Sequence, residues 1–159
     1  MHAPEQIVPS RLGDYLDVLS KSVFQSGISW KVVEAKWPGT REALCDFDPR
    51  RLADLTPEDV DRLAEDTRLV RNRRKIEATI DNAETMLELE RQHGTFKGYL
   101  RSFTTYDALA ADLVKRFKFL GAMGAYHFLY VVGEPVPSWD DWCATHHSAA
   151  PRARSTRKS

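Results

Sequence analysis

The sequence predicts an all-α fold, a single compact helical domain, and three observations carry that prediction. Apolar residues recur at helical spacing in segment after segment. No segment shows the strict alternation of a half-buried strand. The chain has 159 residues, which fits one domain. A domain of that length buries roughly 68–70% of its unfolded surface and needs no staples.

The elements follow in order. Residues 1–9 carry two prolines and little pattern, so a loose lead-in is expected before a domain over 10–145. Asp14 to Phe24 is the first helix, with apolar residues at 15, 16, 18, 19, 23 and 24. Gly27 interrupts it. Ser29 can cap a second helix, Trp30 to Trp37, which Pro38-Gly39 is expected to stop. Thr40 opens a short helix toward Phe47, and Asp48-Pro49 reads as N-cap and first turn of another. Thr56-Pro57-Glu58-Asp59 is a clear helix start, running to about Asp66. A basic turn leads into a long helix from Asn72 to Gln92, with Ile76, Ile80, Ala83, Met86 and Leu87 as its buried stripe. Gly94 ends that helix and Thr95 caps the next. Tyr106–Arg116 and Gly121–Val132 are two more, joined by Phe117-Lys118-Phe119-Leu120. Pro135 and Pro137 break the chain, and Ser138 caps a last short helix through Cys143. The basic stretch 146–159 has no apolar periodicity and is expected to be disordered.

Composition excludes several classes. Lys and Arg number 23 and Asp and Glu 23, so the formal charge is zero, which argues against coating nucleic acid by bulk electrostatics. Cys45 and Cys143, far apart, are no disulfide framework and suit a reducing cytoplasm. The N-terminus has no apolar core of a signal peptide, and no apolar run approaches the roughly 18 residues of a membrane helix.

Residues 113–133, LVKRFKFLGAMGAYHFLYVVG, are the most informative stretch. A short apolar turn joins two helices, and Ala122, Gly124 and Ala125 let the second pack closely. Its first backbone N–H groups would be left unpaired, a fit for an anion such as a DNA phosphate, with Arg116 and Lys118 alongside. The competing reading is a core hairpin with two incidental basic residues. Arg68, Arg71, Arg73, Arg74 and Lys75 form a run without an acid, at a helix start where positive charge opposes the macrodipole. Phosphate contact and pairing with Glu58, Asp61 or Glu65 both stand as explanations.

Three blocks then align in order and spacing: Phe24-Gln25-Ser26-Gly27-Ile28-Ser29-Trp30, Leu69-Val70-Arg71-Asn72-Arg73-Arg74-Lys75-Ile76, and Lys115-Arg116-Phe117-Lys118-Phe119-Leu120-Gly121. From about residue 12 to 133 the chain resembles the helix-hairpin-helix DNA glycosylases, in particular the DNA-3-methyladenine glycosylase I branch. The resemblance implies base-excision repair: bending duplex DNA, flipping a damaged, alkylated purine and hydrolysing its glycosidic bond. It implies Gly27-Ile28 as the wedge that fills the gap. Trp30 would stack on the base, with Gln25, Phe24 and Tyr15 as further pocket residues. Lys118, Phe119, Leu120 and Gly121, with Arg116, Arg71, Arg73 and Lys75, would hold the DNA backbone. An aspartate after the hairpin, Asp140 or Asp141, would stabilise the oxocarbenium sugar or activate water; both are equally ordinary first-turn helix residues. The protein is expected to act as a monomer on duplex DNA, away from membranes.

Two departures matter. The branch carries a base-reading glutamate where Ser22 stands here. It also carries a zinc clip, for which this chain lacks an N-terminal cysteine: Cys143, His146 and His147 cluster, but His2 is the only early histidine. No metal and no cofactor are therefore expected. The missing acid motivates a rival reading, a non-catalytic module that binds damaged or bent duplex. A helical interaction protein without nucleic acid is a third.

Overall fold

In helix α1 (Leu12–Gln25) the first turn is anchored by Asp14, whose carboxylate accepts from the N–H groups of Ser10 (2.9 Å) and Arg11 (3.2 Å). The computed structural model describes residues 5–146. Among the described residues the chain forms nine α-helices and no strand. After α1 come α2 (Trp30–Ala43), α3 (Pro49–Ala53), α4 (Pro57–Ala64), α5 (Arg73–His93), α6 (Phe96–Leu100), α7 (Tyr106–Arg116), α8 (Ala122–Val131) and α9 (Trp139–His146). Of the stretch 146–159 expected to be disordered, His146 instead ends α9 and stacks on Trp142, and 147–159 lie outside the described residues.

The caps read from sequence form. Asp48, Thr56 and Thr95 each accept a backbone N–H two or three residues on, and Asn72 and Thr105, not read as caps, do the same. Ser138 does the same for α9. Ser29 occupies the N-cap position of α2 without a side-chain bond.

Helix α2 corrects the expectation that Pro38-Gly39 stops it: the helix runs on to Ala43. Proline forfeits one backbone bond, but Pro38 is exposed, so water can serve the carbonyl it leaves. Packing on both sides carries the helix through. Trp37 stacks on Phe47 (5.2 Å, 16°) and its indole N–H donates to Asp17 (2.9 Å), while Thr40 is buried. Gly39 lies against the backbone of Arg68, whose carbonyl oxygen would stand 2.8 Å from an added Cβ. The short helix expected toward Phe47 is instead the end of α2 plus a left-handed turn, with φ of 59°, 56° and 56° at Cys45, Asp46 and Phe47.

Helix α5 is the spine. It packs against α1, α3, α4 and α6, and Ile76, Thr79, Ala83 and Met86 are wholly buried along it. Ile80 and Leu87 of the predicted stripe are partly buried. Helix α8 runs antiparallel to α1, with Gly124 beside Ser22 and Phe128 beside Tyr15. The lead-in is not loose at residues 6 and 7: Ile7 N–H donates to Val131 O (2.8 Å) and the Gln6 amide to Tyr130 O (2.9 Å). No described helix is long and apolar enough to cross a membrane.

Candidate functional site

Two turns project from this frame. The first, Ser26 to Ser29, links α1 to α2. Gly27 sits at φ 75°, a conformation that favours glycine, and open space surrounds its Cβ position. Trp30 begins α2 with 61% of its surface exposed. Gln25 and Ile28 are half-buried on either side of the turn, Ile28 packing partly on the core. Gln25, Gly27, Ile28 and Trp30 thus lie along one turn and its two helix ends, neighbours because they are neighbours in sequence.

Phe24 and Tyr15 are not with them. Phe24 is 1% exposed and packs edge-on to Trp37, and Tyr15 is wedged against Phe96 and Phe128. Both lie on the inward face of α1 and serve as core, which corrects their assignment to a base pocket. The signal was available: the stripe Leu16, Leu19 and Val23 sets the helix phase that turns residues 15 and 24 inward.

The second turn joins α7 to α8. Phe117 and Leu120 are buried, while Lys118, Phe119 and Gly121 are exposed. Phe119 adopts φ 60°, uncommon for a bulky residue. Gly121 is the N-cap of α8 and offers no side-chain cap. The N–H groups of Ala122, Met123 and Gly124 have no acceptor among the described residues and open toward the outside. The buried amide of Asn82 clamps this turn, accepting from Lys118 N–H (2.8 Å) and donating to Lys118 O (3.2 Å). Nothing in the three-block alignment pointed to Asn82, although its phase with Lys75 and Thr79 on α5 marks it as inward.

The basic residues divide sharply. Lys75 is 4% exposed, and its ammonium donates to Phe24 O (3.2 Å) and Ser26 O. It cannot contact a phosphate, because it lies beneath the first turn; this corrects its place in the backbone-contact set. Burial holds its pKa below the ordinary lysine value. Arg73 pairs with Asp61, one of the acids weighed against phosphate contact, and also with Glu77, which was not among them. Arg116 pairs with Asp112 (2.6 Å), which also accepts from the buried Tyr99 hydroxyl (2.6 Å). Lys118 reaches Asp81 (2.6 Å). Arg71 and Arg74 are exposed and have no acid partner among the described residues. The Arg74 guanidinium lies 5.6 Å from the Phe119 ring centroid. These two residues, with Glu77, Ala78, Asp81 and Lys118, line an open hollow of about 220 Å³.

Past the hairpin, the chain breaks at Pro137, whose carbonyl accepts from the Tyr126 hydroxyl (2.9 Å). Along α9, Trp139 stacks on Trp142 (5.5 Å, 11°) and Trp142 on His146 (3.9 Å, 12°). Trp142 packs inward, and Trp139 stays 46% exposed beside His127. Asp140 and Asp141 are exposed in the first turn of α9, and their carboxylates make no hydrogen bond or ion pair among the described residues. Ser22 is half-buried on α1, its Cβ 3.6 Å from where a Cβ on Gly124 would stand.

An all-helical domain that hangs a glycine turn and a helical hairpin from one central helix has the frame of a helix-hairpin-helix DNA glycosylase. The methyladenine glycosylase family model matches residues 13–113, a span that includes the first turn and α5. The chain is 33% identical over 130 residues to DNA-3-methyladenine glycosylase 1 of Escherichia coli (strain K12), covering 69% of this chain and 70% of that protein. It is 34% identical over 89 residues to the DNA-3-methyladenine glycosylase of Haemophilus influenzae, covering 56% and 48%. Among solved structures, 3-methyladenine DNA glycosylase I from Staphylococcus aureus superposes with a TM-score of 0.70 at 27% identity, over 81% of this chain and 80% of that one. A crystal structure of 3-methyladenine DNA glycosylase I gives 0.68 at 30% identity, over 80% and 81%. This chain belongs to the methyladenine glycosylase family.

Proposed function

We propose that this protein is a monofunctional DNA glycosylase that releases an alkylated purine of the 3-methyladenine type from duplex DNA. The observation that carries the reading is the pair of outward turns braced on α5, in a chain of this family. In this reading the free N–H groups at the start of α8 receive a phosphate, with the Lys118–Gly121 backbone and Arg116 beside them. Arg71 and Arg74 extend the positive surface. Gly27-Ile28 enters the stack in place of the flipped nucleotide. Trp30 offers its exposed face to the base and Gln25 its amide to the base edge. A purine alkylated on a ring nitrogen is cationic and departs as a neutral base. The protein must therefore mainly expose the bond, admit water and favour the oxocarbenium sugar electrostatically. Asp140 or Asp141 is assigned that last role, as an unpaired carboxylate following the hairpin. The protein works as a monomer in a reducing cytoplasm, bound to chromosomal DNA.

A rival reading, a module that binds damaged duplex without cutting, is favoured by Ser22 at the acid's position. The test is incubation with duplex carrying methylated purines, scored for free base and alkali-labile sites. Released 3-methyladenine is expected. Tight lesion binding without release would establish the binding module instead, and failure to bind any duplex at low salt would sink both.

A further inference from the structure

Two side chains of α5 are built in a way that packing alone does not require. Lys75 is the one buried cation among the described residues, and it has no carboxylate partner. A buried ammonium is costly, and an apolar residue of similar volume would fill the space at lower cost. Its hydrogen bonds instead go to Phe24 O and Ser26 O, carbonyls at the end of α1, where the helix leaves acceptors unpaired and its dipole is negative. Those carbonyls lead into the Gly27 turn. Asn82 stands seven residues further on, roughly two turns and about 10 Å along the same face. It is 1% exposed and satisfies both backbone groups of one residue, Lys118. The strained Phe119 follows directly. One helix face thus ties down both outward turns, each by a buried polar side chain at a separate point.

We infer that Lys75 and Asn82 are positioning residues with divided tasks, Lys75 setting the turn that enters the duplex and Asn82 the turn that grips the backbone. The inference rests on the glycosylase reading for the roles of the two turns. Its physical content is separability. A phosphate grip contributes affinity for any sequence. A wedge acts only when a nucleotide leaves the stack, so its misplacement lowers the flipped fraction within the bound complex.

The test uses the full chain with Lys75→Met and Asn82→Ala, and with Lys75→Gln as a milder change that keeps a donor. Three quantities are measured: affinity for undamaged duplex, flipping reported by 2-aminopurine next to the lesion, and single-turnover excision at saturating protein. Lys75→Met is expected to lower flipping and excision about tenfold, since a small misplacement at a reacting site is amplified. Its affinity for undamaged duplex should stay within about twofold, because the phosphate contacts are untouched. Lys75→Gln should fall between Lys75→Met and the wild type. Asn82→Ala is expected to lower affinity about fivefold, as for one lost buried hydrogen-bonding partner, with flipping of the bound complex unchanged. If all variants lower affinity and flipping together, in proportion to a loss of thermal stability, the residues are merely structural and the inference is overturned. Full flipping and excision in Lys75→Met overturns it too. A wild type that flips the base without releasing it would count against the glycosylase reading alone, since the flipping comparison still decides this one.

Discussion

At the scale of single residues, the two glycines in the outward turns are glycines for different reasons. Gly27 needs its φ of 75°, and an L side chain there is strained although space is open. Gly121 sits at φ −98° and ψ −175°, extended backbone open to any residue, again with nothing within 4 Å of its Cβ position. The backbone conformation therefore does not demand glycine at 121; in the proposed function, close approach by a phosphate does. Gly27→Ala should destabilise by about 1–2 kcal/mol, the left-handed penalty. Gly121→Ser, which keeps a favoured N-cap residue, should change stability by only about a few tenths of a kcal/mol while weakening binding to every duplex. Urea unfolding and fluorescence anisotropy separate the two; equal stability losses would remove the argument for 121. The same scale shows where the sequence was hard to read. Phe24 and Trp30 belong to one recognisable block, yet one is core and the other is open. Block membership carries no phase, whereas the periodicity of α1 does. Lys75 could have been found the same way, being in phase with the buried Thr79 and Asn82 rather than with the exposed Arg74.

At the scale of elements, the helix starts were the most legible features, because a cap is a local bond between near neighbours. Asp48-Pro49, Thr56-Pro57, Asn72 and Thr95 all begin helices where the residues said they would. Pro38 was misleading because what outweighs a proline is long-range: Trp37 on Phe47, and Gly39 against Arg68. The left-handed turn at 45–47 had no glycine to announce it. The box at the start of α4 gives a prediction. Bonds from the Thr56 backbone N–H (2.8 Å) and hydroxyl hold the Asp59 carboxyl below its ordinary pKa, with a smaller contribution from Arg62. A depressed acid stabilises the folded state fully above its unfolded pKa, and that stabilisation is lost as pH falls through the folded value. Wild type should therefore exceed Asp59→Asn in stability at neutral pH, with the gap narrowing below about pH 4. Urea denaturation across the acid range checks it, and a gap constant with pH would refute the linkage.

At the scale of the whole molecule, the order of three sequence blocks disclosed the frame, but not which charges are free to act. The chain has 23 basic and 23 acidic residues, and most of the basic residues near the two turns are already committed. Lys75 is internal, Arg73 is held by two acids, and Arg116 and Lys118 each hold one. Sequence offered Asp112–Arg116 and Glu77–Arg73 as neighbours one helical turn apart, whereas Asp61 and Asp81 reach Arg73 and Lys118 only once α4, α5 and the turn after α7 have packed. The consequence is measurable in the salt dependence of DNA binding. Each phosphate neutralised contributes about −0.9 to the slope of log affinity against log salt. With Arg71 and Arg74 as the unpaired cations of the patch, Arg71→Ala and Arg74→Ala should each make the slope shallower by about one and weaken all sequences alike. Arg73→Ala should leave the slope nearly unchanged, since Asp61 and Glu77 already neutralise that guanidinium. The comparison is made on undamaged duplex, where base recognition does not enter. A slope lost with Arg73 and kept without Arg71 and Arg74 would mean that DNA breaks the ion pairs of α5, and that the binding face is not the one the free protein presents.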